Sequence, residues 1–247
     1  MSISGTNITV YGNGGTNVDI VSGAFTPNVN RLYLLTVFQY TSATFPFTPS
    51  ISTTNGLTFT LIQSELAGGV SDLQVAVYRA MITSGAVNGT VTISSGGSLY
   101  DAFFASIDEF DGVDTSGSSG SGAIVQNAVA NSAGTNTITV TLAAFGSGSN
   151  GTFVAGGWKN DGAFTITNTA ASAGFTELVD FPLSLRYNLD TNWRADNSVN
   201  SSVTQTDAGG IGSKGALIAL ELKVSGGGGG GGGAGQPNSM LQFGIGA

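Results

Sequence analysis

A chain of 247 residues has room for one large β domain or two small ones. Charged residues make up only 9% of it and hydrophobic residues 40%, against roughly 25% charge in an average soluble domain, so its surface must be coated largely with Ser, Thr, Asn and Gly. Seven basic residues and a net charge of −8 argue against a nucleic-acid surface, and the absence of His and Cys removes imidazole bases, Ser-His-Asp triads, disulfides and nearly all zinc sites.

Taken in order, the chain reads as strands punctuated by turns. Thr6–Val10 and Val18–Phe25 are short strands split by Gly12-Asn13-Gly14-Gly15. Arg31–Tyr40 is apolar on both faces, the mark of a central strand. Phe45-Pro46-Phe47-Thr48-Pro49 is irregular or at an edge, since proline cannot donate to a ladder. Asn55-Gly56 turns into Leu57–Leu61, Ala67-Gly68-Gly69 into Leu73–Tyr78, and Asn88-Gly89 into Val91–Ile93. Ala102–Ile107 is a second central strand, followed by an acidic turn over Asp108–Asp114 and a Ser/Gly surface loop over Thr115–Gly122. Beyond it come Thr137–Leu142, with clean period-two alternation, then Phe153–Trp158 with Trp158 in the core. Phe164–Ile166, Phe175–Val179, Leu183–Tyr187, Ser201–Thr206 and Ala216–Leu222 complete the set.

Strand signals recur about every ten residues with no sustained helical period, which predicts an all-β protein: a two-sheet antiparallel β-sandwich, jelly-roll-like, over residues 1–224. No clean internal repeat or composition shift divides it. No apolar run approaches the ~18 residues of a membrane span, and no basic-then-apolar leader opens the chain. Residues 225–235 are a polyglycine linker, with Gly226–Gly233 an unbroken run. Polyglycine has nothing to bury and maximal backbone entropy, so it is a tether. Residues 236–247 follow as a docking peptide whose apolar side chains, Met240, Leu241, Phe243 and Ile245, are the expected partner-binding residues.

Several segments together resemble β-sandwich domains of phage virion proteins. They are Pro27-Asn28-Val29-Asn30-Arg31-Leu32 leading into an apolar strand, Gly56-Leu57-Thr58-Phe59-Thr60-Leu61, Tyr78-Arg79-Ala80, and the Glu109–Asp114 turn with Gly112-Val113-Asp114. The resemblance spans about Thr6 to Lys223 and implies a role as head decoration, fibre or tail module, made in a host cytoplasm and located in the virion. It carries over no catalytic residue.

Two constellations invite chemistry. Asp108, Glu109, Asp111 and Asp114 are dense enough in carboxylates to be candidate calcium ligands, but an ordinary acidic turn with Asx hydrogen bonds is the favoured reading, and no metal or other cofactor is expected. Tyr187, Asp190, Trp193, Arg194 and Asp196 suggest a polar–aromatic loop suited to a sugar or to an interface hot spot. Four Asn-x-Ser/Thr triplets match the glycosylation pattern, but Asn-Gly within two of them is turn chemistry. The expectation is a non-enzymatic virion structural protein, a capsid decoration or cement protein anchored by its tail. It should be homo-oligomeric, as a trimer, with other virion proteins as partners and neither nucleic acid nor membrane. The alternative is a carbohydrate- or receptor-binding module of a fibre or tail, with a surface glycan as partner.

Overall fold

A computed structural model describes residues 2–13, 18–41, 48–68, 72–96, 100–160, 169–170, 174–183, 186–196, 202–207 and 213–226. The expected strand at Phe164–Ile166 and the whole docking peptide lie outside these residues. Within them the chain is all-β and antiparallel, as the alternation predicts. Its first eight strands are β1 (Ser4–Asn13), β2 (Ile20–Val21), β3 (Leu32–Tyr40), β4 (Ser50–Thr53), β5 (Thr60–Leu66), β6 (Leu73–Ala80), β7 (Val91–Ser94) and β8 (Ala102–Asp111). The next eight are β9 (Ile124–Ser132), β10 (Thr137–Thr141), β11 (Gly151–Asn160), β12 (Thr169–Ala170), β13 (Thr176–Leu183), β14 (Tyr187–Arg194), β15 (Ser202–Asp207) and β16 (Ser213–Leu222).

Two five-stranded sheets, β1-β8-β3-β6-β5 and β13-β14-β11-β16-β9, pack face to face as the sandwich. Leu34, Phe38, Val75 and Phe104 from one meet Phe153, Leu189, Ile218 and Leu220 from the other. Two three-stranded sheets, β2-β7-β4 and β10-β15-β12, cover the outer faces. Ile20, Val91 and Ile93 close over Tyr33, Leu35 and Ile107, while Ile138, Val140 and Val203 close over Val154, Trp158 and Leu217. The layering is therefore three, five, five, three. It explains why β3, β11 and almost all of β8 are buried at every position rather than at alternate ones.

The strand order repeats. β1 to β8 form 1-8-3-6-5 and 2-7-4; β9 to β16 form the same two patterns in the same sequence. Register repeats with it. Leu32 pairs with Phe110 and Leu34 with Arg79 in the first half, and Gly151 with Leu222 and Phe153 with Trp193 in the second. Carrying that register outward aligns Thr60 with Thr176, and both halves then bulge at the next step, between Leu61 and Gln63 and between Glu177 and Val179. The halves are packed about an approximate twofold: β16 lies on β5 and β6 as β8 lies on β13 and β14, and β9 touches β5 as β1 touches β13.

Equivalent positions meet across that twofold. Phe38 lies against Gly157, its counterpart, where a Cβ would overlap the Phe38 ring and Val75 Cγ2. Tyr40 meets Lys159, its counterpart, whose Nζ donates to Tyr40 Oη at 2.7 Å and lies 4.1 Å from the ring centroid. Gly157→Ala should therefore cost about 1–3 kcal/mol by overpacking. In a double-mutant cycle with Phe38→Leu, measured by thermal unfolding, the loss in the double mutant should fall short of the sum of the two single losses because the smaller side chain makes room.

Candidate functional site

Carboxylates are costly to bury unless paired, so their partners report what the fold does with its chemistry. The expected acidic turn is not a turn. Asp108, Glu109 and Asp111 lie on β8, so successive side chains point to opposite faces and find different partners. Asp108 is fully buried between the two five-stranded sheets. It accepts hydrogen bonds from Asn7 Nδ2 at 2.8 Å and Ser106 Oγ at 3.4 Å. Burial pushes its carboxyl up to about 7 even though these bonds oppose the shift.

Glu109 faces the other way and accepts from Asn28 Nδ2 at 3.1 Å and from the Tyr33 hydroxyl. Burial and this carboxylate together push the Tyr33 phenol up. Asp111 pairs with Arg31. Asp114 pairs with Lys223 at 2.6 Å and accepts from Ser116 N at 2.8 Å, which hold it down at about 2. The four acids thus have four separate sets of partners. The candidate calcium ligands are therefore not brought together: strand alternation separates the side chains, and among the described residues no three His, Cys, Asp or Glu side chains converge.

Glu109 has a counterpart that sequence reasoning missed. Glu221 occupies the same register position on β16 and is also buried. It accepts from Gln126 Nε2 at 2.6 Å, Asn150 Nδ2 at 2.7 Å and Gly146 N at 3.0 Å. Each glutamate clasps the segment entering the third strand of its half, through Asn28 in one and Gly146 and Asn150 in the other. The available signal was a glutamate followed by a large apolar residue near the end of both last strands, Glu109-Phe110 and Glu221-Leu222.

The expected polar–aromatic loop is strand β14, between β11 and β13 in the sheet. Tyr187, Leu189 and Trp193 face the sandwich core. Trp193 sets its ring edge-on to Phe110, with centroids 6.0 Å apart, and Tyr187 lies 5.0 Å from Tyr40. Neither ring is part of an exposed shelf. Asn188, Asp190, Asn192 and Arg194 face outward and are nonetheless buried, under β15 and its surroundings. Asp190 Oδ2 accepts from Asn192 Nδ2 at 2.9 Å and from Gln205 Nε2 of β15 at 2.5 Å. Asn188 Nδ2 donates to Asp180 at 2.7 Å. The Arg194 guanidinium lies 5.0 Å from the Phe175 ring centroid, and burial lowers its pKa. Asp196 follows the strand. The tail residues Met240, Leu241, Phe243 and Ile245 lie outside the described residues.

The buried carboxyl between the sheets has a calculable consequence. The folded pKa of Asp108 is raised above its unfolded value of ~3.9, so the folded state holds the proton more tightly. Its contribution to stability is complete below about pH 4 and is lost as pH rises toward 7. Asp114 is shifted the other way and titrates outside that window. Asp108→Asn should therefore flatten the decline in melting temperature between pH 5 and 8. At pH 8 it should raise the melting temperature by roughly 4–8 °C, for about 2 kcal/mol of relieved ionisation penalty. A pH series of melting curves on both proteins checks this.

No family model, curated protein or solved structure matches the chain.

Proposed function

We propose that this chain is a non-catalytic phage virion structural protein, a capsid decoration or cement protein held in place by its C-terminal peptide. One observation carries the reading: the buried acids of the folded body are engaged in joining its own layers and segments, and the body is followed by a tether with an apolar end. Asp108 ties β8 to β1 from within the sandwich, Asp190 links β14 to β15, and Glu109 and Glu221 clasp the third-strand entries.

The surface fits a life beside other subunits. Thr137, Thr139 and Thr141 pair with Thr206, Thr204 and Ser202 as an uncharged hydroxyl ladder on an outer sheet. A lightly charged surface offers little repulsion between copies, which supports a homo-oligomer, with a trimer as our reading. The receptor- or glycan-binding alternative loses its motivating feature, since Tyr187 and Trp193 face the core.

Gly226–Gly233 has a root-mean-square span of about 15 Å and a taut reach of about 27 Å, enough to pass from one subunit to the next. Burying Met240, Leu241, Phe243 and Ile245 contributes on the order of 1.5–3 kcal/mol for each large side chain, offset by ~1 kcal/mol or more for each glycine ordered. A single tail therefore binds weakly, and many copies act by avidity. Deleting residues 226–247 should leave the melting temperature unchanged but abolish co-sedimentation with phage particles, and Leu241→Ser with Phe243→Ser should nearly do so. Full occupancy by the truncated protein would overturn the tether. Sedimentation of the free protein should show an oligomer, and a monomer at high micromolar concentration would count against self-association.

A further inference from the structure

The chain leaves the folded body at a fixed point. Lys223 N donates to Ala123 O at 2.8 Å, Val224 N to Asn150 Oδ1 at 3.2 Å and Ser225 N to Gly112 O at 2.7 Å, so three separate segments hold the root of the linker. Beside that root lies an apolar groove of about 570 Å³. Ile124 and Val125 at the start of β9 form one wall, Gly146 and Ser147 the other, and Val224 and Gly226 line it as well. Val125 is 43% exposed there, a large aliphatic side chain left without cover. The Gly146 wall adds no side chain: a Cβ on Gly146 would come no nearer than 3.7 Å to any atom beyond its chain neighbours, the closest being Val125 Cγ1.

Length and charge decide what covers the groove. Residues 226–235 are a flexible link with a root-mean-square span of about 17 Å, and the link starts at the groove itself. The peptide 236–247 is therefore held around the groove at an effective concentration on the order of millimolar. Residues 226–247 contain no Asp, Glu, Lys or Arg. The groove matches them, because its two charged lining residues, Lys223 and Asp114, pair with each other at 2.6 Å. An uncharged apolar peptide enters such a groove without desolvating an unpaired charge. With the volume of a small-ligand cleft, the groove takes part of the peptide and not all four of its large apolar side chains.

We propose that the groove between the start of β9 and the 146–150 loop is the resting site of this chain's own C-terminal peptide, vacated when a particle offers the peptide a better one. This regulation rests on the attachment reading above and adds to it a masked state, in which the apolar end is covered until it is used. Docking is weak: a ratio of docked to open of about two lowers the apparent affinity of each tail for the particle about threefold, by the open fraction.

Full-length protein is digested briefly with chymotrypsin, and cleavage after Met240, Leu241 and Phe243 is followed by mass spectrometry. Docking hides these bonds. Val125→Asp, which puts a charge in the groove, and Gly146→Leu, which fills it, should each speed cleavage about threefold. Val21→Asp, on β2 and 53% exposed, should not. Wild-type cleavage should be independent of protein concentration. The proposal is overturned if the groove variants lose the tail at the wild-type rate, or if dilution alone speeds wild-type cleavage, which would put the peptide on a second copy. Co-sedimentation with phage particles reads attachment separately, and the groove variants should bind up to about threefold more tightly per tail. Unchanged cleavage with wild-type attachment intact removes only the groove, whereas wild-type protein that does not attach removes the reading beneath it. Should Val125→Asp fail to fold, Gly146→Leu decides alone.

Discussion

A sheet buried on both faces is the constraint from which the rest of this structure follows. Each five-stranded sheet has the other on one side and a three-stranded sheet on the opposite side. Its central strands cannot alternate apolar with polar, so Leu32–Tyr40 and Gly151–Asn160 are buried throughout. Polar groups on those strands must then find partners inside the protein. The result is a set of long-range bonds, Asn7 to Asp108, Asn28 to Glu109 and Asn150 to Glu221, each joining an internal strand to a distant segment. Low overall charge belongs to the same constraint. With two such sheets and their covers, much of the chain is interior, and a charge there is stabilising only when its partner is built in.

That constraint also decides what was legible in the sequence. Apolar continuity marked β3 and the start of β8, and period-two alternation marked β10, because burial on both faces and on one face leave different patterns. Asn55-Gly56 was readable as a turn, and Gly56 adopts φ +90°, which favours glycine. Of the expected strand at Leu183–Tyr187, Leu183 ends β13 and Tyr187 opens β14, while residues 184 and 185 lie outside the described residues. The Asp108–Asp111 and Tyr187–Arg194 stretches were misread for one physical reason. Both are strands whose polar side chains lie inside the protein against other elements, and local polarity looks the same whether water or Asn7 supplies the hydrogen bond. Two sheets were expected and four are present, because short cover strands such as Ile20–Val21 carry little pattern of their own. The repeat was hidden because its halves share register and bulge position but not side chains.

Those differences between the halves are themselves informative. In a symmetric dimer, a residue on the twofold must face a copy of itself. Phe against Phe and Lys against Lys would then be enforced, the first by overpacking and the second by like-charge repulsion. Joining both halves in one chain removes that restriction. Phe38 can face Gly157 and Tyr40 can face Lys159, giving a large–small fit and a cation over a ring where identity would give a clash. The same freedom acts away from the axis. Asp108 in the first half corresponds to Leu220 in the second, and Asp190 in the second to Ala76 in the first. At these positions the first half carries a carboxyl between the sheets where the second has leucine, and the second carries one beneath its cover where the first has alanine. The shared strand order sets where side chains can go, and the asymmetry between equivalent positions is where chemistry beyond the fold has to be sought.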